Sequence, residues 1–271
     1  LMILNMVKKG LFGDVVYCEG GYHHDLREEI AYGDENRHYR LRNYINRNCD
    51  NYPTHELGPI AKVLNINNGN RMLSLTSTAS CSKGMHKYII DKKGTECRLA
   101  DTSFMQGDIV KTNIKCAHGE LISLTLDTTL PRCYSRGFTV RGTAAAYFED
   151  TDSIFIDGKD NRFEFNPEAL IKSADKYEDK YLHPLWKNYV VQGGHGGIDW
   201  LVFRAFIEAV KAGVQTPIDV YDTASWMCIS ALSEQSIASG GMPQSIPDFT
   251  GGAWIDRRDI VKQKYGLDRI V

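Results

Sequence analysis

Asn51-Tyr52-Pro53-Thr54-His55-Glu56-Leu57-Gly58-Pro59 gathers a phenol, a hydroxyl and an imidazole within four residues. Proline fixes the backbone there, so three hydrogen-bonding side chains can converge on one ligand instead of dispersing into solvent. Phenol and imidazole are also groups that move protons in catalysis. The competing explanation is structural: a proline turn whose histidine caps or packs against the next helix. This segment alone leaves both open.

Other candidates are weaker by themselves. Gly193-Gly194-His195-Gly196-Gly197 opens a helix near Ile198, so its amides can hold an anion or a hydroxyl, and His195 can point into a cleft. A flexible loop before a helix explains it equally well. The spacing does not fit the G-x-G-x-x-G dinucleotide fingerprint, and no such fingerprint occurs in the chain. His55-Glu56 fails as a helical H-E-x-x-H zinc motif because Pro59 stands where the second histidine belongs. His23 and His24 are adjacent, so in a strand they face opposite sides, and no metal site is expected. No G-x-S-x-G elbow is present. Arg40, Arg42 and Tyr134 read by residue type as surface charges and a half-buried aromatic.

The elements that position these residues follow from periodicity. Met2, Met6 and Val7 share a face ended by Lys8-Lys9-Gly10, which reads as the end of a helix. Asp14 to Tyr22 reads as a strand, and the polar stretch 23 to 50 as a long functional loop. A short helix is expected over Gly58 to Leu64. Strands follow at Met72–Thr78, Ile109–Cys116, Leu121–Asp127, and near 138–140, 145–148 and 154–156. Their short connections imply antiparallel pairing.

Two helices come next. One runs from Gly197 to Ala212 with an apolar stripe of Ile198, Leu201, Val202, Ala205, Phe206, Ala209 and Val210. The other runs from Asp219 to Ser239, with its stripe through Ala224, Met227, Cys228, Ala231, Leu232 and Ile237. A block of strands followed by a block of helices implies an α+β domain, its sheet covered on one face.

The 271 residues, 42% of them hydrophobic, suffice for a sizeable core. A net charge of −2 gives no basic patch for nucleic acid or an anionic membrane, and no apolar run reaches membrane-spanning length. The first ten residues do not read as a signal peptide. Seven widely spaced cysteines without a C-x-x-C read as free thiols in a reducing compartment, so a cytoplasmic location is expected.

Six segments occur in a telling order: Gly21-Tyr22-His23-His24-Asp25-Leu26-Arg27, Tyr39-Arg40, Tyr52-Pro53-Thr54-His55 with Leu57-Gly58-Pro59, Tyr134-Ser135-Arg136, Gly193 to Gly197, and Ile246-Pro247-Asp248-Phe249. The series resembles the C-terminal substrate domain of the Gfo/Idh/MocA oxidoreductases. Within them it is most similar to the NAD-dependent glycosidase branch that includes α-N-acetylgalactosaminidases. The resemblance implies an α+β fold: a large, open, mostly antiparallel sheet with helices on one face. It also implies an N-terminal Rossmann domain that this sequence lacks. Residues 1–13 then read as the remnant of the linker or last helix of that domain, 14–254 as the substrate and oligomerisation domain, and 255–271 as a tail. A signal for export of the parent would lie in the lacking region.

Carried over motif by motif, the resemblance implies that Tyr22 and His55 are catalytic. It implies that Arg40, Tyr52, Pro53, Thr54, His55, Tyr134 and His195 bind substrate, and that Tyr52 and His24 face the NAD cofactor. The implied reaction is redox-neutral. Hydride removal from a sugar carbon acidifies the neighbouring C–H, the glycosidic group is eliminated, water adds, and the hydride returns. Implied partners are a sugar or glycoside, the Rossmann domain, and further copies docked through the sheet face. A plain sugar or cyclitol dehydrogenase and a non-catalytic carbohydrate-binding module are the alternatives. Glu56 departs from the branch, standing where a small or neutral residue is common.

Overall fold

The computed structural model describes residues 1–161, 171–187, 189–257, 265 and 267. In chain order the helices are α1 (Met2–Lys8), α2 (Arg27–Ala31), α3 (Tyr39–Asn46), α4 (Pro53–Val63), α5 (Gly84–Lys93), α6 (Glu178–Tyr181), α7 (Pro184–Lys187), α8 (Ile198–Ala212) and α9 (Val220–Ala238). The strands are β1 (Val15–His23), β2 (Met72–Ala79), β3 (Ile109–Cys116), β4 (Leu121–Asp127), β5 (Thr139–Gly142), β6 (Ala145–Phe148), β7 (Ser153–Ile156) and β8 (Gln244–Ser245). They form one open sheet in the order β7-β6-β5-β1-β4-β3-β2-β8.

Every pairing in that sheet is antiparallel except β1 with β4. The β2–β3–β4 meander returns β4 beside β1, with Cys18 opposite Ile122 and Tyr22 opposite Leu126. Alternation decides which face is covered. In β3, Val110, Thr112, Ile114 and Cys116 are buried, while Lys111, Asn113 and Lys115 face out. In β1, Cys18 and Tyr22 join the apolar clusters under the helices. Gly20 sits between them because a Cβ there would lie 2.4 Å from the Glu56 carbonyl oxygen. Glycine lets α4 settle directly on β1.

Four readings change. Residues 23–50 are not one loop, since they contain α2 and α3. Leu41 and Tyr44 of α3 are buried three residues apart, and His38 caps it by accepting from the Arg40 amide at 3.3 Å. The surrounding charges mask that short stripe. Next, α4 starts at Pro53, not Gly58, because proline at the first helical position is already set to a helical φ.

The buried face of α9 is Asp222, Ser225, Trp226, Ile229, Ser233 and Ser236, not the apolar stripe expected. Hydrogen bonds explain the choice. Ser225 pairs with Asn67, Ser233 accepts from the Asp50 amide at 2.9 Å, and Ser236 accepts from the Ser77 amide at 2.8 Å. Lys62 meets Asp222 at 2.8 Å. Finally, only Ala209 of the expected α8 stripe is buried, while Ile198, Val202, Phe206 and Val210 stay exposed. Most of the tail read from 255 onward lies outside the described residues.

The cysteines are all unbridged. Among the described residues, no helix is long and apolar enough to cross a membrane.

Candidate active site

At the C-terminal end of β1, Tyr22 emerges on the helix side and meets the first turn of α4. Its ring stacks on Tyr52 at 4.4 Å between centroids. His55 stands edge-on to Tyr22 at 5.3 Å and tilted against Tyr52 at 4.4 Å. The Tyr22 hydroxyl lies 3.1 Å from Nδ1 of His24, whose ring sits edge-on to Tyr134 at 5.1 Å. Two residues apart on a strand, Tyr22 and His24 share a face. His23 turns to the other face, where its ring fills the space beside Gly21 and Gly137.

Arg40 enters from the first turn of α3. Its guanidinium lies over both Tyr52, at 5.4 Å, and Tyr39, at 5.3 Å, and donates to Glu29 at 2.6 Å. Arg136, just before β5, donates from Nη1 to the His55 carbonyl at 3.1 Å and from Nε to the Tyr134 hydroxyl. The Thr54 hydroxyl is 3.4 Å from His55 Nδ1, and Pro53 is buried at the helix start.

The structure thus unites Tyr22, His24, Arg40, Tyr52, Pro53, Thr54, His55 and Tyr134. It does not bring His195 into contact with them. That residue is exposed, takes a left-handed φ of 50°, and pairs with Asp199 at 2.8 Å. It nevertheless lies near enough to influence His55 electrostatically.

Burial sets the protonation states. It pushes His55 down to about 4, with the positive charges of Arg136 and Arg40 adding to the effect. It lowers His24 as well, against the opposing pull of Glu29. It raises Tyr22 to about 12, and Arg40 offsets only part of this. At neutral pH the cluster therefore offers the protonated phenol of Tyr22, two neutral imidazoles and a fixed guanidinium. Carboxyls around it are engaged or hidden: Glu29 holds Arg40, Asp25 holds Arg27, and Asp50 and Glu56 are 0% and 1% exposed.

No role is legible in the sequence for Arg136, Glu29 or Asp50, and Glu56 stands out there only as a departure from the branch. One clue was present for Arg136: Pro59, four residues after His55, leaves that carbonyl without its helical donor.

Residues 1–256 match the model of the glycosyl hydrolase 109 C-terminal domain. The chain belongs to that family. It is 41% identical to an alpha-N-acetylgalactosaminidase of Tannerella forsythia over 94% of its own length and 58% of that protein's. Identity is 40% to a glycosyl hydrolase family 109 protein of Stenotrophomonas maltophilia, covering 95% of this chain and 60% of that one. The glycosyl hydrolase 109 chain therefore spans less than two thirds of these relatives. Among solved structures, levoglucosan dehydrogenase in complex with NADH superposes with a TM-score of 0.60 at 15% identity, over 92% of this chain and 63% of that one. An inositol dehydrogenase homolog complexed with NAD+ from Azotobacter vinelandii gives 0.55 at 14%, over 90% and 61%. Those likenesses establish the shared fold, an open mixed sheet with helices on one face.

Proposed function

We propose that the protein containing this chain cleaves a glycoside, with N-acetylgalactosaminide the first candidate, by a redox-neutral route assisted by NAD. The observation that carries this reading is the donor set. Ordinary glycosidases flank the scissile bond with two carboxyls. Here tyrosines, neutral histidines and an arginine form the cluster, and the carboxyls around it are buried or ion-paired. The relatives named for N-acetylgalactosaminidase activity and the dehydrogenase-like fold support the same reading.

NAD fits this donor set, because the flat Tyr52–Tyr22 stack and the imidazole of His24 offer a surface for a nicotinamide ring. When bound, NAD would supply hydride removal and return at a sugar carbon. This chain's residues do the rest. Arg40, held by Glu29, hydrogen-bonds sugar oxygens, and Tyr134 and Thr54 add hydroxyl contacts. Tyr22 holds a proton at its phenol oxygen and shares it with His24 Nδ1. His55, neutral above about pH 4, accepts a proton from a sugar hydroxyl or C–H. His195 approaches from the rim.

The test is release of nitrophenol from α- and β-aryl glycosides by the full-length protein, with and without NAD. NAD-dependent release without net NADH is expected. NADH formation from a free sugar with no release would instead assign a dehydrogenase.

A further inference from the structure

Directly beneath the cluster, Asp50 and Glu56 bring two carboxyl groups together in a place water does not reach. Their exposures are 0% and 1%. The side chains lie within hydrogen-bonding reach of each other. None of the four carboxyl oxygens receives a hydrogen bond from another group. The amides of Tyr52 near Asp50, and of Thr125 and Tyr22 near Glu56, favour the charged forms without completing a bond. No cation is among the main influences on either group.

Two carboxylates cannot donate to each other, and two buried negative charges without a cation are prohibitively unfavourable. One proton resolves both problems at once, turning the pair into an acid donating to a carboxylate. Its placement gives it reach. Asp50 precedes Tyr52 by two residues, Glu56 follows His55, and the Glu56 backbone rests on Gly20 of β1.

We propose that Asp50 and Glu56 form a proton-sharing clamp that positions Tyr52 and His55 against Tyr22, so that the geometry of the site depends on a proton no ligand touches. Both are positioning residues, and their role in turnover rests on the sugar-active reading above. The groups around the clamp are Tyr22 of β1 and Thr125 of β4 beside Glu56, Cys49 and Tyr52 beside Asp50, and Ser233 of α9, which accepts from the Asp50 amide. Burial holds Cys49 and Tyr22 protonated up to about 12 and keeps His55 neutral above about 4. It also raises both clamp carboxyls, as expected of a pair that holds one proton between them.

The first test is isotope-edited infrared spectroscopy of the full-length protein at pH 7. A protonated-carboxyl C=O band is expected in the wild type, and its loss when both carboxyls are replaced in Asp50→Asn/Glu56→Gln. No band in the wild type, or a band unchanged in the double variant, overturns the proposal. The second test reads position. Glu56→Ala should shift the His55 ring-nitrogen resonances and lower kcat by about 100-fold with little change in KM, the scale of a misplacement of about 1 Å. Glu56→Gln, which keeps the shape and a donor, should recover most of both. Equal damage from the two variants would overturn the positioning role. The spectroscopic readouts need no substrate. A correct band without sugar activity would sink the function reading alone, and activity without the band would sink the clamp alone.

Discussion

Arg136 donates to the main-chain oxygen of His55 at 3.1 Å, and Pro59 is the reason that oxygen is available. Inside a helix the carbonyl of residue 55 would accept from the amide of residue 59, but proline has none. A guanidinium from the segment before β5 takes the vacated place. The same contact fixes the histidine's backbone and sets a positive charge beside its ring.

Arg136→Ala should therefore act twice. Removing the hydrogen bond should cost about 1 kcal/mol of stability. Removing the charge should raise the His55 pKa from its depressed value. Thermal melts and a ring-nitrogen NMR titration would report the two effects separately, and an unmoved titration would contradict the electrostatic part.

Tyr22 keeps its proton because burial outweighs Arg40. Tyr22→Phe preserves the ring stacked on Tyr52 and deletes only the hydroxyl. If the phenol moves a proton in the reaction, kcat should fall by about 10²–10⁴-fold with the fold intact. A drop of less than tenfold would remove Tyr22 from the chemistry.

The histidine also links stability to pH. The His55 pKa in the folded state lies below the unfolded value near 6.5, so the unfolded chain binds the extra proton. Its contribution is present above about pH 6.5 and is lost as pH falls toward 4. His55→Gln should flatten the decline in melting temperature over that window.

Lys62 and Asp222 pair at 2.8 Å with side chains only 8% and 4% exposed. Burial still leaves the Asp222 pKa raised, despite the lysine beside it. Lys62→Ala should cost about 3–5 kcal/mol by stranding a buried charge, whereas replacing both partners with apolar residues should cost far less. Denaturant titrations of the single and double variants would decide.

The sheet face opposite the helices carries Lys111, Asn113 and Lys115 on β3, with Lys111 3.5 Å from Glu19 of β1. We propose that this face is buried against a second copy. Light scattering at high micromolar concentration should show an oligomer, and a monomer there would refute it.

The strands were legible in the sequence because alternation survives on a sheet with one wet face; Ile109–Cys116 and Leu121–Asp127 appear with the expected limits. The site was legible where the residues were reactive types in ordered motifs: Tyr22, Tyr52 and His55 do converge. The misses have physical causes: charges mask the short Leu41–Tyr44 stripe of α3, the Asp50–Glu56 pair meets only through the fold, and the α9 face is polar groups satisfied by tertiary partners. Hydrophobic periodicity does not register a buried serine bonded to an amide 159 residues away.

The buried serines of α9 have a consequence for which arrangement is unique. An oily face lets a helix slide or rotate by a residue and still bury hydrocarbon. This one is fastened at Lys62, Asn67, Asp50 and Ser77, in four different parts of the chain. A slip of one residue would break all four fastenings together. The helix thus acts as a register mark for the molecule, excluding near-native misalignments more than it adds strength. The segment that leads into the reactive residues inherits that exclusion through Ser233.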